Sequence, residues 1–241
     1  MILGLGALLL LRPGAQLPPT PVPSAAASPG AGELVLADSL ANPASAVFPR
    51  EQSGTGQATF SNGDSATYPW DFAYMYSAIV AHVLGPYPAN PDSAWLAASA
   101  TLDQSPPHDF AVQVRARVTR SPEASAFGLG FESDSAAQYL FYVTPADQTF
   151  RLQLPQGQGA PVSGRTAWIL PPTQPNLLRL EMRGGNLRIL INGHELVREA
   201  PPGLAARQDG KVSLRWAMTT APSDGGSVEV RFAQFALYTL P

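Results

Sequence analysis

No cysteine occurs among the 241 residues, so a disulfide, a thiolate metal site and a cysteine nucleophile are all excluded. Charge is scarce too. Asp, Glu, Lys and Arg make up 14% of the chain, against roughly 25% in a typical soluble domain, which points to an uncharged polar surface of the kind common outside the cytoplasm. The formal net charge is −3, and no clustered Lys/Arg stretch could drive counterion release from a phosphate backbone, so nucleic acid is not an expected partner. The three histidines, His82, His108 and His194, are dispersed and read as loop or surface residues. No Gly-x-Ser-x-Gly elbow presents a serine nucleophile. The apolar run from Ile2 to Leu11 falls short of the ~20 residues that a membrane-spanning helix needs.

Hydrophobic residues reach 45%, enough for a sizeable core, while 25 prolines and 21 glycines stay below the roughly 25–30% of a low-complexity chain. Residues 1–12 read as a truncated signal or membrane-anchor segment, closed by Arg12-Pro13-Gly14. Residues 13–32 form a Pro/Ala/Ser-rich linker, too polar to offset its ordering entropy and extended by its prolines. The folded domain is expected over 33–241. An apolar start followed by a proline-rich stalk predicts an extracytoplasmic location, tethered or secreted, in which the membrane is met only through the N-terminal segment.

Within 33–241 the clearest signal is Asn176 to Val197. Leu178, Leu180 and Met182 alternate with Arg179, Glu181 and Arg183; Gly184-Gly185-Asn186 breaks the run; Leu187, Ile189 and Ile191 resume it; Asn192-Gly193 breaks it again. Period-2 alternation marks one buried and one wet sheet face, and Gly-Gly and Asn-Gly supply the positive φ angles of two-residue hairpins. Gln57 to Tyr68 reads as another hairpin around Ser61-Asn62-Gly63-Asp64. Phe72 to Leu84 fits a helical face and a strand face alike, and strand is preferred. Phe110 to Val118 alternates cleanly, and Gln138 to Thr144 is apolar on both faces, which predicts a central strand whose second face meets another layer or an aromatic groove. In the closing strand, Val228 to Tyr238, apolar parity slips from even (Val228, Val230, Phe232) to odd (Phe235, Leu237), as a β-bulge produces. Many short strands with Gly/Pro/Asn turns indicate an all-β, two-sheet antiparallel sandwich or jelly roll.

Asp38-Ser39-Leu40-Ala41-Asn42-Pro43, Asp109-Phe110-Ala111-Val112, Gly128-Leu129-Gly130-Phe131, Tyr139 to Val143, Leu187 to Gly193 and Phe232-Ala233-Gln234-Phe235 follow one another in an order that resembles the concanavalin A-like lectin/glucanase superfamily. The likeness is to its bacterial extracytoplasmic jelly-roll domains, in the laminin-G-like and 3-keto-disaccharide-hydrolase-like groups, and spans Leu34 to Leu240. It implies two curved sheets and binding of carbohydrate or a cell-envelope component on one of them. Fold membership fixes architecture and leaves function to the site.

Laminarinase-type members carry Glu-x-Asp-x-x-Glu, since retaining hydrolysis needs a nucleophile and an acid/base. Here the match is Glu132-Ser133-Asp134-Ser135-Ala136-Ala137, without the second glutamate, so a non-catalytic module is expected and no cofactor. A structural calcium is the metal the resemblance suggests, with Asp38 as the candidate ligand, although Ala233-Gln234 stands where related domains place an acid. Sugar C–H faces stack on aromatic rings, and Trp95, Tyr139 and Arg151 are the ligand-binding candidates: Tyr139 opens the doubly apolar strand, Arg151 sits among apolars, and Trp95 lies in a proline-rich stretch. The remaining alternatives are a protein-interaction or sensor ectodomain of a tethered signalling protein and a divergent glycoside hydrolase.

Overall fold

The computed structural model describes residues 32–59, 65–75, 78–84, 96–102, 104–133, 138–155, 159–199, 210–223 and 226–241; the expected signal and linker segments lie outside them, apart from Gly32. Fifteen strands follow in order: β1 (Leu34–Asp38), β2 (Glu51–Thr59), β3 (Ser65–Met75), β4 (Ala78–Leu84), β5 (Leu96–Thr101), β6 (Phe110–Arg120), β7 (Ser125–Ser133), β8 (Gln138–Thr144), β9 (Thr149–Gln153), β10 (Val162–Arg165), β11 (Asn176–Arg183), β12 (Asn186–Ile191), β13 (His194–Glu199), β14 (Gly210–Met218) and β15 (Ser227–Thr239). They pair into a nine-stranded sheet, β13-β12-β11-β6-β15-β4-β3-β2 with β1 added on β15, and a six-stranded sheet, β10-β9-β8-β7-β14-β5. All pairings are antiparallel. This is the two-sheet sandwich the alternation pattern predicts. Among the described residues no helix is long and apolar enough to cross a membrane.

Turn chemistry sets the register of the β11–β12–β13 meander. Gly184 and Gly185 have φ of +53° and +78°, Asn192 and Gly193 of +50° and +86°. Two successive positive φ values make the turn whose twist matches that of the flanking strands. Arg183 therefore faces Asn186 and Ile191 faces His194, which sends Leu178, Leu180, Leu187 and Ile189 to the core at 0% exposure. The parity slip in β15 is a bulge: pairing with β6 shifts between Ala233 and Ala236, and Gln234 turns to φ +55°. Phe232 and Phe235, three apart, both point inward as a result. Phe72 to Leu84 is neither one helix nor one strand. It spans the end of β3 and all of β4, paired as a hairpin from Met75↔Ala78 to Trp70↔Val83.

The core lies between the sheets and is centred on Trp216, which is wholly buried. Its ring meets Trp70, Phe72 and Phe232 edge to face at centroid distances of 6.1, 5.7 and 6.3 Å, and its indole N–H donates to the His82 carbonyl at 2.9 Å. A buried indole needs such an acceptor. Gly128, between Phe127 and Leu129, is required by close approach: a Cβ there would stand 1.7 Å from the Phe141 carbonyl oxygen of β8.

Candidate functional site

With Phe127, Leu129, Tyr139, Phe141, Leu214 and Trp216 turned into the core, the alternate residues of the six-stranded sheet form its outer face. Cross-strand pairing lines up Ser163, Arg151, Tyr142, Gly128, Arg215 and Ser99 in one row. The next row begins Arg165, Thr149, Thr144. At the β9–β10 end a depression of about 640 Å³ opens, lined by Thr144, Thr149, Phe150, Arg151, Pro161, Ser163 and Gly164. Gly164 leaves room for the Phe150 ring, whose nearest atoms would sit 2.9–3.0 Å from an added Cβ. Three hydroxyl side chains and one guanidinium thus border one open hollow, with Phe150, which packs against the core, among its lining residues.

In the middle of this face, Ala126, Tyr142 and Ala217 form a small apolar cluster with Leu140 against it. Among the described residues, the second apolar face of β8 meets this small cluster. Burial pushes the Tyr142 phenol above its ordinary range, and the charge of Arg215 pulls the other way. Arg215 Nε donates to Ser213 Oγ at 2.9 Å and crosses over Gly130, where a Cβ would stand 2.7 Å from that nitrogen.

The fold separates the sequence candidates. Arg151 is exposed and borders the hollow. Tyr139 is corrected: it is 0% exposed, its ring packed 6.3 Å from Phe131 in the core, because in a strand apolar on both faces only the tertiary structure chooses which parity turns inward. Trp95 lies outside the described residues. Asp38 is buried: its Oδ1 accepts from the Leu40 N–H at 2.8 Å, and its Oδ2 accepts from the Val47 N–H at 3.3 Å and the Tyr74 hydroxyl at 3.1 Å, so this carboxylate latches the segment after β1. Burial, reinforced by the nearby Asp38 charge, pushes the Tyr74 phenol well up. Among the described residues no three His, Asp or Glu side chains converge on a common metal position.

Glu132 lies at the end of β7 between Gln138 and Lys211, and it is the one carboxylate on the six strands of this sheet. Asp134, its companion in the incomplete motif, is outside the described residues.

Two arrangements have no local signature in the sequence. His82 is not a loop residue: on β4 its Nδ1 lies 2.5 Å from Asp71 Oδ1 and its Nε2 3.4 Å from Glu229 Oε2. Burial raises the Glu229 pKa, but hydrogen bonds from Thr119 and Arg231, with the Arg231 charge, outweigh it and hold the group below its usual range. Trp168, 44% exposed, stacks on His194 at 4.5 Å and 10°, and its carbonyl accepts from Asn192 Nδ2 at 2.8 Å. Trp168 sits in a turn and His194 opens a strand; only the meander brings them together.

No family model and no curated protein matches the chain. Solved structures do. A laminarinase catalytic domain from Thermotoga maritima is similar with a TM-score of 0.59 at 9% identity, over 87% of this chain and 98% of that one. A Bacillus subtilis protein of unknown function with a galectin-like fold is similar at 0.57 and 11% identity, over 87% and 97%. An endo-β-galactosidase from Clostridium perfringens, releasing GlcNAcα1-4Gal, is similar at 0.59 and 9% identity, over 89% of this chain and 64% of that one. The fold is the concanavalin A-like jelly roll. Identities this low carry the architecture alone, so what this jelly roll does has to be argued from its own outer face.

Proposed function

We propose that this jelly roll is a non-catalytic carbohydrate-binding module working outside the cytoplasm, held near a membrane or secreted by way of its N-terminal residues. The observation that carries the reading is the open hollow at the β9–β10 end of the six-stranded sheet, which is lined by Thr144, Thr149, Ser163 and Arg151 together with Phe150 and Pro161. Sugar hydroxyls need polar partners of this type beside an apolar surface. Similar folds that act on glycans, such as the laminarinase and the endo-β-galactosidase, make a glycan the natural ligand class. Retaining or inverting hydrolysis takes two carboxyl groups flanking the bond, and Glu132 has no companion carboxylate on the strands of its sheet, which favours binding over cleavage. The apolar residues 2–11 and the proline-rich stretch after them support the location.

The test is a thermal-shift screen of the full chain against poly- and oligosaccharides. A ligand at a hundred times its Kd stabilises the folded state by about 2.7 kcal/mol, which raises Tm by roughly 5–10 °C in a domain of this size. A reproducible rise with one glycan class, lost in Arg151→Ala, supports the reading. A flat response across the panel, or release of reducing ends from a bound glycan, refutes it.

A further inference from the structure

We infer that the glycan this face takes is an acidic one, bearing carboxylate or sulfate groups, read by Arg151 and Arg165 together with Arg215; the inference rests on the carbohydrate-binding reading above. Cationic excess is concentrated on this sheet. Its six strands carry Arg151, Arg165, Lys211 and Arg215 against the single carboxylate Glu132, in a chain whose net charge is −3. On the nine-stranded sheet Arg179 meets Glu181 at 2.6 Å, Arg188 bridges Glu181 and Glu195, Arg198 meets Glu195 at 2.8 Å and Arg231 meets Glu229 at 3.1 Å, while Arg115, Arg117 and Arg183 stand outside such pairs among the described residues. Among the described residues none of Arg151, Arg165 and Arg215 has a carboxylate within 4.0 Å.

The placement of these arginines is specific. Arg151 faces Ser163 and Arg165 faces Thr149, so the two arginines occupy diagonal cross-strand positions, roughly 7–8 Å apart at Cα. Like charges so placed repel one another unless an anion lies between them. Arg151 borders the hollow with the three hydroxyls. Arg215 stands in the Arg151 row three strands away, about 14 Å at ~4.8 Å per strand, its Nε already tied to Ser213 Oγ. A planar guanidinium matches carboxylate and sulfate oxygens two at a time, and an extended acidic chain could meet the hollow and Arg215 together. The neutral sugar hydroxyls are left to Thr144, Thr149 and Ser163.

Isothermal titration calorimetry of the full chain distinguishes the sources of negative charge. The probes are polygalacturonate and its methyl ester, dextran sulfate and dextran, with polyglutamate as an acidic polymer that is not a sugar. Binding to polygalacturonate or to dextran sulfate, at least tenfold tighter than to the matching neutral polymer and to polyglutamate, is the expected result, and which of the two binds names the acid. Arg151→Gln and Arg165→Gln should each weaken it about tenfold, the worth of one charged hydrogen bond. Arg117→Gln, an exposed arginine on β6 of the other sheet, makes the same charge change and should leave affinity within twofold. Equal binding of acidic and neutral polymers overturns the inference while the carbohydrate reading stands. Polyglutamate binding as tightly as the sugars overturns it as a general polyanion surface, and silence from all five probes overturns it together with the reading beneath it.

Discussion

Asn176 is fully buried, and its replacement by alanine should cost far more than its size suggests. Its Oδ1 accepts from the Leu170 N–H at 2.8 Å and from Asn192 Nδ2 at 2.9 Å, and its Nδ2 donates to the Leu170 carbonyl at 3.1 Å. Asn192 in turn accepts from the Leu177 N–H at 2.8 Å and donates to the Trp168 carbonyl. The two amides therefore staple the turn carrying Trp168 and Ile169 onto the β11–β12 edge. Three lost hydrogen bonds at about 1 kcal/mol each, with the Leu170 backbone groups left short of partners, bring the expected loss to roughly 3–4 kcal/mol. For a domain of about 200 residues that lowers Tm by roughly 6–16 °C. Urea melts followed by fluorescence measure it directly. Acrylamide quenching, compared with a Trp168→Phe background, should show Trp168 more accessible in Asn176→Ala. Asn186→Ala is the control, since its amide makes only long, exposed bonds to Arg183 and Gly184 at 3.3 and 3.4 Å, and it should cost less than about 0.5 kcal/mol. If Asn176→Ala costs no more than Asn186→Ala, the buried amide does not pin the turn and the reasoning fails.

Two glycine substitutions should diverge sharply. Gly184→Ala meets nothing within 4 Å but keeps φ at +53°, so it pays backbone strain alone, about 1 kcal/mol, whereas Gly128→Ala drives a methyl onto the Phe141 carbonyl at 1.7 Å and should yield no cooperative unfolding transition; circular dichroism melts decide, and similar Tm values for both would sink the argument. Glu195 is held down to about 2, first by hydrogen bonding to Arg198 and then by Arg188. A depressed carboxyl pKa stabilises the fold fully above its unfolded value, about 4.3, and that part is lost as pH falls toward 2. Glu195→Gln should flatten the acid limb of a stability–pH curve between those values and leave its slope above pH 5 unchanged.

The meander β11–β13 and the bulge in β15 were legible because their causes are local. Gly184-Gly185 and Asn192-Gly193 dictate positive φ within two residues, and a one-residue parity slip must either bulge the strand or expose Phe235 and Leu237. The hairpin of β3 and β4 was half legible, since Phe72, Tyr76, Ile79 and Val83 fit a helical face while Tyr74, Tyr76, Ala78 and Val80 fit a strand face, and only the pairing of β3 with β4 separates the two periods. The site was less legible still. Arg151 could be singled out from its place among apolar neighbours, but Tyr139 could not be sorted from Tyr142, because both parities of β8 are apolar and the facing sheet makes the choice. Asp71, His82 and Glu229 are brought together by β4 pairing with β3 on one side and β15 on the other, across 147 residues between His82 and Glu229. The row from Ser163 to Ser99 joins six strands spread over much of the chain. Alternation and turn chemistry thus determined by themselves that this chain makes paired antiparallel strands with one apolar face each. Which charges meet a partner, and which are left open on the six-stranded sheet, was decided by strand order alone, because an ion pair depends on spatial neighbours that no local pattern encodes.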